Sequence, residues 1–154
     1  MNLPKCHLYE GFSDIQFERL FSLMEETFVI EGQWLFREGE PADRFYCIKQ
    51  GAVELLTAID DHIELPVTIL RSEGSHLGTS SLVPPFTYSL SARAYDDSTL
   101  MVIKRSRLME QIESDPEMGF FIMSNLAKTF LDRLRETRQE VKIHFKTLFK
   151  IMQF

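Results

Sequence analysis

Cysteine is scarce in this sequence, with Cys6 and Cys47 as its two representatives in 154 residues. Two cysteines so far apart build neither a disulfide framework nor a Cys-x-x-Cys metal knuckle. No apolar run approaches the roughly 20 residues that a membrane-spanning helix needs, and no basic segment leads into an apolar one at the start, as a secretory leader would. We therefore expect a protein of a reducing, cytoplasmic compartment with no membrane partner.

Positive charge is also in short supply. The 17 Lys and Arg residues face 23 Asp and Glu, which gives a net charge of −6. A charge of this sign argues against a chain that holds nucleic acid or anionic lipid electrostatically. The basic residues near the carboxyl end alternate with acids, as on a solvated helix face. No winged-helix pattern is present, so we expect no helix-turn-helix domain and no direct DNA binding.

The patterns that mark enzymes and metal sites are missing. His7, His62, His76 and His144 are widely separated and form no His-x-His, His-Glu-x-x-His or Cys-His zinc spacing. The sequence has no nucleophile elbow, and its most polar stretch, Gly74–Ala94, carries no paired acid-base carboxylates. We therefore expect neither enzyme activity nor a bound metal ion.

Short strands separated by turn residues fill the middle of the chain. Ser13 and Gln16 form a capping-box signature that predicts a helix to about Glu26. Strands with no helices between them indicate an antiparallel sandwich or barrel. The expected strands are Thr27–Ile30, Trp34–Arg37, Phe45–Lys49, Val53–Ala58, His62–Leu70, Thr87–Ala94 and Thr99–Lys104.

Two helices are predicted after the last strand, a short one from Ser106 and a long one from Asp115-Pro116 to about Lys150. One side of the long helix repeats in heptads and predicts a homodimer, with a helix lying along its own domain as the alternative. This seam consists of Met123, Ala127, Phe130, Leu134, Thr137, Val141, His144 and Leu148. The last six of these residues form the expected dimer interface. A second side should pack on the strands, through Phe121, Ile122, Leu126 and Leu131. We divide the chain into a strand-rich domain with its N-terminal and short helices, 1–114, and a dimer helix, 115–154.

The stretch Gly74–Ala94 combines a glycine turn, consecutive hydroxyls and a diproline. Gly78 can adopt positive φ or let a ligand approach the backbone. Thr79, Ser80 and Ser81 then offer backbone N–H groups and hydroxyl donors, an array that can hold an anion. The alternative is an ordinary solvated loop between two strands.

The segment Gly39–Leu55, GEPADRFYCIKQGAVEL, resembles the signature of the cyclic nucleotide-binding domain. The resemblance continues through Leu77-Gly78 and Ser91–Ala94 and covers about residues 13–150. It implies the fold of the sensor half of the cAMP receptor protein and fumarate–nitrate regulator superfamily. That fold is mainly β with some α: an antiparallel β-roll (jelly roll) with an N-terminal helix and a long C-terminal dimerisation helix.

In that family Gly74–Ala94 corresponds to the phosphate-binding cassette, in which a Glu holds the ribose and an Arg holds the cyclic phosphate. Here Thr79 stands at the Glu position and Tyr88 at the Arg position, and Arg93 has the opposite strand parity to Tyr88. Losing both ionic groups should weaken ordinary cAMP or cGMP binding, because charge-assisted hydrogen bonds are the strong ones. The resemblance implies ligand contacts from Leu77, Gly78, Thr79, Ser80, Ser81, Tyr88, Ser89 and, on the long helix, Thr137.

Three functions therefore stay open at this point. The first is a small-molecule sensor, with a cyclic nucleotide-like ligand, that signals through its dimer helix to a separate output protein. The second follows from relatives that sense gases, and is a haem-based sensor with His76, His7 or Cys6 as iron ligands. The third is a ligand-free interaction scaffold, which a cassette filled by its own side chains would favour.

Overall fold

The structure is a computed structural model that describes residues 6–153, and it contains two four-stranded antiparallel sheets. The strand orders are β1-β8-β3-β6 and β2-β7-β4-β5, so the expected β-roll with helical ends is confirmed. The strands are β1 Glu25–Val29, β2 Trp34–Phe36, β3 Arg44–Gln50, β4 Val53–Ala58, β5 Glu64–Leu70, β6 His76–Leu77, β7 Ser91–Ala94 and β8 Ser98–Lys104. The helices are α1 Asp14–Phe21, α2 Arg105–Ser114 and α3 Pro116–Met152, with short 3₁₀ helices at His7–Tyr9 and Thr79–Leu82.

Helix α1 begins as predicted and ends earlier than predicted. The Ser13 hydroxyl accepts from the Gln16 N–H, and the Gln16 side chain accepts from the Ser13 N–H, which completes the capping box. The helix ends at Phe21 rather than at Glu26. Glu25 is already opposite Val102 in β8, so pairing with the sheet takes these residues out of the helix.

Two strands start later than the sequence predicts. β7 begins at Ser91 instead of Thr87, because the Tyr88 backbone bonds to the Gly39 and Glu40 backbone in a separate loop contact. β5 begins at Glu64 instead of His62, because the Asp60 carboxylate accepts the His62 N–H and closes a turn there. The two-residue strand β6, His76–Leu77, was not among the predicted strands.

Two buried clusters form the core. One fills the roll, with side chains such as Ile48, Val53 and Leu100. The other joins the outside of the β1-β8-β3-β6 sheet to the helices, and to it α3 contributes Met118, Ile122 and Leu126. The prediction that Leu131 packs on the strands is wrong: Leu131 is 44% exposed, on a side of α3 that faces away from the roll.

The distal half of α3 extends away from the roll, and every residue from Leu134 to Gln153 is exposed. The apolar seam residues in this half therefore have no partner within the described part of their own chain. A partner helix from a second copy stays a prediction, as does the division of the chain at residue 114. None of the helices within residues 6–153 combines the length and the apolar character needed to cross a membrane.

Candidate ligand site

Gly78 shapes the start of the cassette. It has φ +79°, and a Cβ atom there would lie 2.7 Å from the Arg44 carbonyl oxygen in β3. Its carbonyl oxygen accepts both the Ser81 N–H (3.0 Å) and the Ser81 hydroxyl (2.7 Å), which closes the 3₁₀ turn Thr79–Leu82. The positive φ and the close backbone approach both require glycine at this position.

Six of the eight sequence-predicted ligand residues line one cavity beside this turn, which we call the cassette cavity. They are Leu77, Gly78, Thr79, Ser80, Tyr88 and Ser89, joined by Phe36, Leu55, Leu90 and Arg133. The structure places the two others elsewhere. Ser81 is fully buried with its hydroxyl bonded to Gly78, and Thr137 is exposed with its hydroxyl donating to the Arg133 carbonyl at 2.9 Å.

The cassette cavity is small. Its volume is about 40 Å³, enough for a few water molecules and far below the roughly 300 Å³ at which small-molecule pockets begin. The rings of Phe36 and Tyr88 stack in it at a centroid distance of 3.8 Å. A nucleotide therefore requires a different arrangement of these side chains or of α3.

Tyr88 stands where the family has its phosphate-binding Arg, yet its hydroxyl is already committed. It donates to the Arg44 carbonyl (2.9 Å) and accepts from the Arg44 N–H (3.2 Å). Burial, followed by the charge of Tyr46, raises the pKa of Tyr88 well above its usual value, so the phenol stays neutral. The side chain therefore offers the cavity an aromatic face rather than a donor.

Arg133 is the cation that reaches the cassette cavity, and the sequence analysis assigned it no role. It is half-buried on α3, and it forms no ion pair within residues 6–153. Burial lowers the pKa of its guanidinium and Glu136 opposes that change, yet an arginine stays protonated under such influences. One signal could have revealed it, since Arg133 lies four residues before Thr137 and so on the same helix face.

Arg93 does not replace the missing Arg, as its strand parity predicts. Its guanidinium pairs with Glu54 at 2.8 Å and lies 5.0 Å from the Trp34 ring centroid. Both partners belong to the sheet that carries Arg93, and none of the three lines the cassette cavity. The positive charge at the cavity thus comes from the helix instead of the roll.

The three candidate haem ligands lie near a neighbouring cleft of about 420 Å³. His7 and His76 line it, although His7 also pairs with Glu10 and the His76 Nδ1 lies 3.4 Å from the Cys6 sulfur. The cleft walls include the acids Glu73, Asp132 and Glu136. Such walls do not suit a large apolar macrocycle, because covering carboxylates with it would desolvate them. Within the described residues no cluster of three His, Cys, Asp or Glu side chains could hold a metal ion.

Curated relatives of this chain include transcriptional regulators and an NTE family protein. The chain is 25% identical over 139 residues to a CRP-like cAMP-activated global transcriptional regulator of Mycobacterium tuberculosis, covering 90% of this chain and 60% of that protein. It is 26% identical over 137 residues to an uncharacterised NTE family protein of the same species, covering 89% of this chain and 21% of that protein. The chain thus spans less than two thirds of the length of these relatives.

Solved structures show the same fold. The catabolite activator protein of Thermus thermophilus superposes with a TM-score of 0.75 at 24% identity, covering 89% of this chain and 62% of that one. The family model of the cyclic nucleotide-binding domain matches residues 27–115, more than half of the chain, including the cassette. This family regulates through ligand binding rather than catalysis. Its β-roll, cassette turn and long helix are all present here, and the chain belongs to the cyclic nucleotide-binding domain family.

Proposed function

We propose that the chain is a ligand-sensing regulatory module that binds a small anionic, cyclic nucleotide-like ligand between the cassette and α3. The observation that carries this proposal is the position of Arg133 at the same cavity as Gly78, Thr79 and Ser89. A guanidinium beside a turn of hydroxyl and N–H donors can bind a phosphate through charge-assisted hydrogen bonds. Arg133 would then supply from the helix the charge that Tyr88 does not supply from the roll.

Ligand binding at this site is coupled to the position of α3. The cassette cavity of about 40 Å³ must open, and Arg133 belongs to the helix that forms one of its walls. A ligand that binds the open arrangement shifts the population toward it, at the expense of apparent affinity. This explains how occupancy of a small site could be transmitted along a 37-residue helix.

The outer half of α3 would carry the signal to its partners. Its exposed seam suits a second copy of the same chain, since apolar heptads pair helices. The proposed interface consists of Phe130, Leu134, Thr137, Val141, His144 and Leu148, and a separate output protein would read its arrangement. The cytoplasmic location expected from the sequence remains part of this proposal.

Isothermal titration calorimetry with cAMP, cGMP and cyclic di-GMP tests the proposal. We expect measurable binding of at least one of them, weakened about 10- to 100-fold by Arg133→Gln, because a charge-assisted hydrogen bond contributes about 1.5–3 kcal/mol. Arg135→Gln is the matched control, since Arg135 lies on the same helix and pairs with Asp132 on the exposed surface. Absence of binding by all three ligands, or equal loss in both variants, contradicts the proposal.

A ligand-free interaction scaffold is the second candidate, and one observation favours it. The stack of Phe36 on Tyr88 fills the cassette cavity with the chain's own side chains. On this hypothesis no small molecule accompanies the protein, and its surfaces alone serve its partners. Native mass spectrometry of protein purified from its own host separates the two, because a co-purifying ligand excludes the scaffold.

A further inference from the structure

Cys6, Cys47 and His76 meet in the buried cluster between the sheet and the helices. The Cys6 sulfur lies 3.4 Å from His76 Nδ1, and both groups are buried. Cys47 and His76 are direct partners across β3 and β6, so their side chains extend from the same face of the sheet. The two cysteines thus approach the same imidazole, one from the N-terminal segment and one from the sheet.

Two buried polar atoms beside this cluster have no hydrogen-bond partner within the described residues. They are the Tyr9 hydroxyl and His76 Nε2. Tyr9 belongs to the same buried cluster as Cys6 and Cys47, and burial, followed by the charges of the two cysteines, raises the pKa of Tyr9. Buried donors and acceptors are normally paired, so this site has unused capacity to bind an oxygen atom.

The two thiols have different electrostatic surroundings. Hydrogen bonding by the Cys47 thiol is the largest influence that lowers the pKa of Cys6, and His76 adds to it, while burial opposes both. The same interaction with Cys6, with burial, raises the pKa of Cys47. Together with the position of the Cys6 sulfur 3.4 Å from His76 Nδ1, these directions favour Cys6 as the attacking cysteine and Cys47 as the resolving cysteine.

Cys6 is buried (3% exposed) but lies at the wall of a surface cleft. It lines a surface cleft of about 360 Å³ together with Tyr9, Glu10, Phe12, Asp14 and Phe17. Cys47 is completely buried in β3. A small, uncharged oxidant can enter the cleft and meet Cys6 first.

We propose that Cys6 and Cys47 form a peroxide-reactive thiol pair that closes to an intramolecular disulfide. The Cys6 thiolate attacks one oxygen of hydrogen peroxide, the O–O bond breaks, and hydroxide leaves as Cys6 becomes a sulfenic acid. The Cys47 sulfur then attacks the Cys6 sulfur, and the sulfenic oxygen leaves as water with the Cys47 proton. Peroxide is reduced by two electrons, and the two thiols are oxidised by two.

The disulfide would join two parts of the protein that flank the cassette. The Asn125 side chain of α3 donates to the Leu8 and Glu10 carbonyls (2.9 Å each), which fixes the Cys6 segment to the long helix. Cys47 lies opposite β6, which leads directly into Gly78. The oxidised pair would therefore tie α3 to the strand before the cassette. The thiol chemistry itself does not depend on the proposed ligand.

Peptide mapping by mass spectrometry tests the wild-type protein after treatment with a modest excess of hydrogen peroxide and alkylation without reduction. We expect a Cys6–Cys47 cross-linked peptide that disappears on reduction, in a chain that stays monomeric on denaturing gels. Unreacted thiols, a sulfinic acid at Cys6 without a cross-link, or a disulfide between chains would each overturn the proposal.

Two variants assign the roles of the cysteines. In Cys47→Ser, we expect the Cys6 sulfenic acid to persist and to be trapped by dimedone. In Cys6→Ser, we expect Cys47 to stay reduced, with peroxide consumption at least about tenfold slower than in the wild type. Equal peroxide reactivity of both variants would overturn the assignment of Cys6 as the attacking group. The wild-type peptide map decides the proposal even where a variant fails to fold.

Discussion

The ring of Phe36 lies on the ring of Tyr88, with centroids 3.8 Å apart and an interplanar angle of 11°. The sequence resemblance assigns Tyr88 to the position of the family's phosphate-binding Arg. The Tyr88 hydroxyl is fixed to the Arg44 backbone, so the stack is anchored at its edge. Both rings line the cassette cavity and take up part of its space.

Removing the stack of Phe36 on Tyr88 should lower the stability of the protein and raise its affinity for ligand. Phe36→Ala is expected to lower the free energy of unfolding by about 3–5 kcal/mol, because it leaves a cavity in the roll. It should at the same time strengthen binding of the nucleotide that the wild type binds, because the ligand no longer has to break the stack. Chemical denaturation and calorimetry measure the two effects.

Leu108→Ala is the control for this comparison, since Leu108 is buried in the other cluster and does not line the cassette cavity. It should lower stability by about 2–5 kcal/mol with no gain in affinity. An equal change of affinity in the two variants would show that general loosening, not the stack, limits access.

Gly78→Ala should destabilise the protein more than a glycine substitution at a similar backbone angle elsewhere. Gly78 has φ +79° and a Cβ would lie 2.7 Å from the Arg44 oxygen, whereas Gly32 has φ +85° with open space around it. Left-handed strain is common to both, about 1–2 kcal/mol. The clash at Gly78 should add about 1–3 kcal/mol, measured by urea unfolding of the two variants. Equal losses would contradict the close approach of Gly78 to β3.

The apolar seam of α3 should hold a second copy of the chain. Leu134→Glu is expected to convert the dimer to a monomer, because a carboxylate would be buried against apolar side chains in the pair. Sedimentation velocity at micromolar concentration measures the change. Ile143→Glu is the matched control, since Ile143 is exposed on the same helix but lies outside the seam. A wild-type protein that sediments as a monomer would exclude the proposed dimer.

Acid should weaken the junction between α1 and α3 at Asp115. The hydrogen bond from Gln16 (3.0 Å), then that from the Met118 N–H (3.2 Å), lowers the pKa of this carboxyl below its usual value. A carboxyl with a depressed folded-state pKa stabilises the fold above its unfolded value, near 4, and loses that contribution as pH falls through the folded value.

Urea unfolding between neutral pH and about pH 3 measures this dependence. Asp115→Asn retains a helix cap but has no carboxyl to protonate, so its stability should fall less in that window than that of the wild type. Asp132→Asn, at an exposed site on α3, should follow the wild type. An unchanged pH profile in Asp115→Asn would show that the lowered pKa contributes nothing to folding.

The sequence predicted those structural features that depend on a few neighbouring residues. The capping box of Ser13 and Gln16, the Asp115-Pro116 start of α3 and the positive φ at Gly78 all depend on contacts within three or four residues. The fold followed from the resemblance to the cyclic nucleotide-binding domain, of which Gly39–Leu55 is one part, and the family model matches residues 27–115. These features were predicted and are present.

Contacts between distant segments were decided only by the tertiary structure. Strand pairing with β8 ends α1 at Phe21, the Arg44 backbone captures the Tyr88 hydroxyl, and the rotation of α3 directs Arg133 toward the cassette. Each of these contacts joins residues more than forty positions apart. The spacing of residues within a single segment therefore does not predict it. The sequence by itself determined that this is a β-roll with a cassette lacking its usual charges, while packing decided that the helix provides a cation and that an aromatic stack takes up part of the cavity.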